Sequence, residues 1–177
     1  NGLCRYVQAS GKLENILLPV NRGGSNLFVN SLLEDTTRQC IWIGMEGYLF
    51  QYNPTIGEMK AIEVFHNNSI KSLALDGDEN LLAGTDNGLY VYQNDKEPLQ
   101  HIIHDSRNIQ SLTNNIIWNI FSEQEHNIWL GTDYGISLSR YNNLYRFLKS
   151  QAQETEISSI PCSGIPKDSI GSEVQTE

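Results

Sequence analysis

Long apolar runs are missing from this chain. No stretch of its 177 residues approaches the ~20 consecutive apolar side chains that cross a bilayer as a helix, and charged residues are scattered through every segment. The piece is therefore not expected to span a membrane with a helix. Basic residues are also scarce: 12 Lys and Arg stand against 21 Asp and Glu, for a net charge of −9, and no Lys/Arg-rich run occurs. That composition lacks the electrostatic footprint that holds phosphate backbones or anionic lipid, which excludes nucleic acid as an expected partner. Cysteines are few and widely spaced. Cys4, Cys40 and Cys162 make no C-x-x-C pair and are too far apart for a disulfide framework, so they read as small buried hydrophobes. Their odd number leaves at least one thiol free or bonded elsewhere, and the compartment stays open on this evidence. No window carries the 3,4-spaced apolar stripe of an amphipathic helix over three turns. The start at Asn1 has neither an initiator Met nor the basic-then-apolar opening of a secretory signal, which reads as an excised or processed piece of something longer.

What the chain does have is a repeat. One copy runs from Asn26 to Asn53 and contains CIWIGMEGYLFQYN; a second runs from Asn67 to Gln93 and contains NLLAGTDNGLYVYQ; a third runs from Asn114 to Asn142 and contains NIWLGTDYGISLSRYN. A half copy, NGLCRY, opens the chain. The turn glycines Gly2, Gly47, Gly88 and Gly135 are 45, 41 and 47 residues apart, in the range of one four-stranded propeller blade, about 40 to 50 residues.

Each unit has a physical reading. Its first segment, SIKSLALD (Ser69 to Asp76) or IIWNIFSE (Ile116 to Glu123), is short, apolar and bounded by Asn pairs, as expected of a buried strand. A polar turn follows, made flexible by Gly77 in the second copy and by His126 and Asn127 in the third. After a short strand, Gly-Thr-Asp-x-Gly (Gly84 to Gly88, Gly131 to Gly135) forms a tight hairpin whose last glycine can take a positive φ. LYVYQ or ISLSRY makes the third strand, and PLQHIIHD (Pro98 to Asp105) supplies an outer fourth. Strands apolar on both faces suit sheets packed between neighbours, as blades are around a propeller axis. The expected fold is all-β: four-stranded antiparallel propeller blades, about three and a half of them. The half blade covers 1–25, the blades about 26–66, 67–110 and 111–148, and a polar tail or linker 149–177, with an edge strand possible at Glu156 to Ile160.

The run SLTNNIIWNIFSEQEHNIWLGTDYGISLSRYN (Ser111 to Asn142) resembles the two-component regulator propeller repeat: an Asn-x-Ile strand, an acidic turn, then Ile-Trp-Ile-Gly-Thr-x-x-Gly-Leu and a closing Tyr-Asn. The second copy keeps Gly84, Thr85, Gly88, Leu89 and Tyr92 with Leu82 in place of the Trp; the first keeps Trp42, Gly44 and Gly47 with one residue fewer in the hairpin. The resemblance covers about residues 1 to 148. It implies the extracytoplasmic, periplasmic sensor propeller of a hybrid two-component system of Bacteroides-type bacteria, responding to glycans or their breakdown products. It also implies further blades or a partner subunit, a homodimer in the parent sensor, and a parent histidine kinase whose catalytic parts are absent here. Three and a half blades do not close a ring, so strand edges and apolar blade faces should be exposed.

No catalytic set, cofactor or metal site is expected. His101-x-x-His104-Asp105 lacks a third ligand at a recognised spacing. Asp76-x-Asp78-x-Asn80 imitates a calcium loop but has Leu81 where Gly is required and Asn87 where a bidentate Glu is required, and so reads as a turn. Asn67-Asn68-Ser69 fits a glycosylation pattern, for which a bacterial source and high Asn content make coincidence the better account. Binding candidates come from comparing the copies, because positions that differ are free of the scaffold. In the first strand Val29, Ile70 and Ile117 align, then Asn30, Lys71 and Trp118, then Ser31, Ser72 and Asn119. The middle position varies in size, charge and polarity. Trp118 can stack on a sugar while Asn119, Lys71 and Asn30 supply hydrogen bonds; alternatively Trp118 fills space between blades. Tyr134 and Arg140, at or beside the following hairpin, are further candidates. Trp42 and Trp129 recur at one repeat position and are assigned to packing. Two other classes compete. A propeller lyase would need His, Glu and Arg gathered at the axial mouth, whereas His66, His101, His104 and His126 fall at different repeat phases. A scaffold of WD type would need Trp-Asp and Gly-His dipeptides that this chain lacks.

Overall fold

The computed structural model describes residues 2–20, 28–62, 65, 68–93, 96–123, 127–139 and 158–160. The chain opens with a two-stranded hairpin, β1 (Leu3–Val7) and β2 (Lys12–Ile16). Three four-stranded antiparallel sheets follow. The first holds β3 (Val29–Asp35), β4 (Cys40–Met45), β5 (Leu49–Tyr52) and β6 (Met59–Ile62). The second holds β7 (Ile70–Leu75), β8 (Leu81–Thr85), β9 (Gly88–Gln93) and β10 (Lys96–Ile102). The third holds β11 (Ile117–Ser122), β12 (Ile128–Thr132), β13 (Gly135–Ser139) and β14 (Ser158–Ile160). Each sheet is a meander whose strands pair in sequence order, the topology of propeller blades. The edge strand foreseen in the tail is β14, which joins the third blade by pairing Ile160 with Ile136.

The hairpins owe their shape to the glycines and the threonine of the repeat. Gly47, Gly88 and Gly135 sit at φ of 77°, 96° and 127°, where a Cβ would be strained. Thr85 Oγ1 donates to Gly88 O at 2.8 Å and accepts from Asn87 N at 3.0 Å, and Thr132 does the same with Gly135 O and Tyr134 N. The acidic turns close differently from the expectation at Gly77. Glu79, not Gly77, takes the left-handed conformation, at φ 62°, and Asp76 fixes it by accepting from Asp78 N, Asn80 N and Asn80 Nδ2 at 2.8–2.9 Å. Burial pushes the Asp76 carboxyl up from its ordinary value against the pull of those bonds. The outer strand of the second blade begins at Lys96 and ends at Ile102, with a register break between Lys96 and Gln100 around Pro98, which has no N–H for a ladder.

The core lies between sheets. Trp42, Leu49, Ile70, Leu73, Leu81, Ala83, Tyr90 and Tyr92 pack between the first and second blades. Leu82, Leu89, Val91, Ile117, Ile128 and Leu130 pack between the second and third. Leu3, Ile16, Leu18 and Val20, in and just after the opening hairpin, cover Ile43, Met45, Phe50 and Tyr52 on the other side of the first blade. Alternation along each strand sends successive side chains to opposite neighbours, which explains why Leu81 belongs to one cluster and Leu82 to the other. Trp42 is fully buried, meets Tyr92 edge to face at 5.8 Å, and donates its indole N–H to Asp35 Oδ2 at 3.0 Å. Burial alone would push the Asp35 carboxyl up; hydrogen bonds from Trp42 and Arg38, with the Arg38 charge at 2.6 Å, outweigh it and hold the group below its ordinary value.

Two further sequence expectations fail. In the third copy the first strand is not buried: only Ile117 is, while Trp118, Asn119 and Phe121 are exposed; no described element packs on the flank that Asn119 and Phe121 face. Cys40 is buried, but Cys4 is exposed, since its side of the opening hairpin points away from the first blade.

Candidate functional site

Each innermost strand carries a register break at the same place: between Val29 and Ser31 in β3, Ile70 and Ser72 in β7, and Ile117 and Asn119 in β11. The extra residue is Asn30, Lys71 and Trp118 in turn. A β-bulge re-aims one side chain out of the strict alternation, so these residues are released from both packing faces. That is the physical reason the middle position varies between copies while its neighbours Val29, Ile70 and Ile117 stay β-branched.

Sheet packing brings the three bulged residues together. Phe28, Val29, Asn30, Glu46, Ser69, Lys71 and Trp118 line an open cleft of about 470 Å³. Asn30 Nδ2 donates to Ile70 O at 2.9 Å and to Ser69 Oγ at 3.3 Å, tying the first blade to the second. Lys71 Nζ sits 4.8 Å from the centroid of the Trp118 ring, a cation–π distance. Trp118 is half exposed, and its indole N–H donates to Asp133 Oδ1 at 2.5 Å. It does not fill space between blades; it stands at the cleft as a ring fixed at one edge. The cleft thus offers an oriented aromatic face, an ammonium, an amide and a carboxylate, a set suited to holding a polyhydroxylated ligand by stacking and hydrogen bonds.

The other candidates lie elsewhere. Asn119 is on the flank of the third blade, beside Gly131. Tyr134, three-quarters exposed, borders a separate cleft of about 310 Å³ with His104, Asp105 and Ile109. Arg140 lies outside the described residues, as do His66 and His126. His101 stacks on Tyr90 at 4.1 Å and contacts Asn87 O, while His104 Nδ1 contacts Leu112 O. Both rings are held by backbone carbonyls, and among the described residues no three His, Cys, Asp or Glu side chains group as metal ligands. Sequence reading missed Phe28, Glu46, Ser69 and Asp133. The Asp of Gly-Thr-Asp-x-Gly was the available signal for Asp133: its homologue Asp86 accepts from Ser69 N at 2.9 Å, so this hairpin position serves the inner strand of its own blade. Phe28 gave no such signal.

Sequential four-stranded meanders, stacked flank to flank with their first strands innermost, define a segment of a β-propeller. Comparison with solved structures makes the class more definite. The chain is 79% identical to the extracellular domain of BT4673 from B. thetaiotaomicron, in two structures, one described as a one-component and the other as a hybrid two-component system; 80% of this chain and 19% of that one are covered, with a TM-score of 0.77. The extracellular domain of BT3049 from the same organism, described as a hybrid two-component system, matches at 24% identity over 76% of this chain and 17% of its own, with a TM-score of 0.58, which shows the shared fold. No protein-family model and no curated protein matches the chain. The blades are thus similar to a part of extracellular domains described as belonging to hybrid two-component systems. The chain spans about a fifth of the length of the solved structures it matches.

Proposed function

We propose that this segment is part of the ligand-sensing, extracytoplasmic propeller of a hybrid two-component sensor, and that the cleft between Asn30, Lys71 and Trp118 takes a glycan-derived ligand. The observation that carries this reading is the convergence of three bulged, repeat-variable residues on one cleft. Similarity to extracellular domains of hybrid two-component systems supports the sensing role. In this reading the piece performs no chemistry. The cleft presents Lys71 and Glu46 and no described His or Arg, so the gathered acid and base that a lyase would use are not what its lining offers. A ligand spanning Asn30, Lys71 and Trp118 would touch all three blades at their inner strands, and signal would pass as a change in blade or subunit packing toward kinase parts of a parent polypeptide.

Calorimetric titration of oligosaccharide fragments against the longer protein that carries these blades tests the reading. Binding confined to one oligosaccharide class, and abolished by Trp118→Ala with the thermal transition unchanged, is the expected result. Unchanged affinity in Trp118→Ala and Lys71→Met would remove the site.

A further inference from the structure

Trp118 reaches the cleft from the third blade, while the other lining residues, Lys71 among them, come from the first two blades and the segments that lead into them. The ring face turned toward those residues therefore looks into the cleft, and Lys71 Nζ, 4.8 Å from the centroid, covers it. Both residues stand on fixed backbone. Their neighbours Ile70 and Ile117 are fully buried, and Ser72 Oγ accepts from Ile120 N at 3.0 Å, tying β7 to β11. Asp133 holds the indole by its edge. The face on which a sugar would stack is thus already occupied, by a cation of the chain itself.

That occupancy turns binding into a competition. A pyranose that stacks on Trp118 has to displace the ammonium, which gives up its cation–π contact but, on a flexible four-carbon stem, can swing from the ring face to its rim. A neutral sugar offers the displaced ammonium only ordinary hydrogen bonds, whereas a sugar bearing a carboxylate offers a charge-assisted one. None of the ion pairs among the described residues engages Lys71. The two carboxylates of the site oppose an incoming anion weakly: Asp133 is committed to the indole N–H, and Glu46 is exposed to water, where salt screens its charge. Lys71 is partly buried, so its own charge acts through less solvent.

We propose that Lys71 makes this cleft selective for acidic saccharides, with a uronic acid residue stacking on Trp118 while its carboxylate draws the ammonium off the ring face. Lys71 then acts in two directions: it disfavours neutral sugars by covering Trp118, and it favours acidic ones by pairing with them. This selection presupposes that the cleft is a glycan site, and it adds the charge of the ligand and the side chain that reads it.

The test titrates the longer protein that carries these blades with a panel of uronate-containing oligosaccharides, each paired with its carboxyl-reduced, neutral form. The acidic member of a binding pair should bind about tenfold more tightly, and added salt should narrow the gap. Lys71→Ala, with its thermal transition unchanged, should move the two affinities in opposite directions: the neutral form gains about threefold as the ring face is uncovered, and the acidic form weakens until the preference is gone. Lys71→Arg, which keeps the charge, should keep the preference. Neutral forms that bind the native protein as tightly as acidic ones, or a Lys71→Ala variant that weakens both forms alike, would overturn the selection and leave the cleft standing, provided Trp118→Ala still abolishes binding. Binding by neither form, or binding indifferent to Trp118→Ala, would remove the cleft and the selection together.

Discussion

The junction between the second and third blades and the bare flank of the third are made from aligned residues, yet they differ in almost every physical respect. At the junction Gly84 is pressed by Ile117, and Leu82, Leu89 and Val91 are fully buried. On the bare flank a Cβ on Gly131 would meet, among the described residues, only Asn119, at 3.8 Å, and Phe121 and Ile136 are exposed. The same repeat position is a tight constraint in one blade and an unfilled surface in the next. A residue's recurrence in a repeat therefore says what interface it was built for, while its energetic worth depends on whether a neighbour is present.

Paired substitutions can break that contrast, and the largest effect falls on the glycines. Gly84→Val forces a branched side chain into Ile117 and should cost about 3 kcal/mol in urea unfolding, whereas Gly131→Val should stay within about 0.5 kcal/mol. Equal losses would mean that the two flanks are packed alike. Next, Ile117→Ala should cost about 3 kcal/mol as a cavity in the second junction, against at most about 0.5 kcal/mol for Phe121→Ala on the bare flank.

The acidic turns sharpen the comparison within the packed part. Asp35→Ala leaves the buried Trp42 indole N–H without its acceptor and should cost about 2 kcal/mol at neutral pH. Because the Asp35 carboxyl is held below its ordinary value, its contribution is present above about pH 4 and is lost as pH falls through the lowered value. Unfolding measured from pH 6 downward should show a steeper acid loss in the native chain than in Asp35→Asn. Asp76 has the opposite sign. Its carboxyl is raised by burial, so the unfolded chain ionises first, and stability declines as pH climbs from about 4 through the raised value. Asp76→Asn should flatten that decline; a slope unaltered by the substitution would show that Asp76 is not desolvated in the fold.

Much of the architecture was legible because it rests on local chemistry that the repeat displays. Turn glycines need positive φ, the Thr of Gly-Thr-Asp-x-Gly closes its hairpin, and short strands apolar on both sides belong between sheets. The variable position of the inner strand was also legible, through Asn30, Lys71 and Trp118 lying between two constant neighbours. What could not be read is whatever depends on a second element arriving. The exposure of Asn119 and Phe121 follows from the absence of a described neighbour, not from the composition of β11, which looks like a core strand. Glu79 at positive φ is set by the bonds of Asp76, against the local preference that pointed to Gly77. Phe28 joins the cleft through the stacking of the first two blades, and Asn119 leaves it because the bulge turns it onto the flank.

The recurring bulge has a consequence for how such a molecule can change. A side chain excused from both neighbours of its sheet can be exchanged with little effect on folding free energy, so mutations there are nearly silent to stability while altering what the inner strands present. Lys71 and Trp118 are such positions, whereas Asn30 shares the bulge but is held by its bond to Ile70 O at 2.9 Å. Diversification can then proceed a single unit at a time, with the fold serving as a fixed frame in which each new combination is tried.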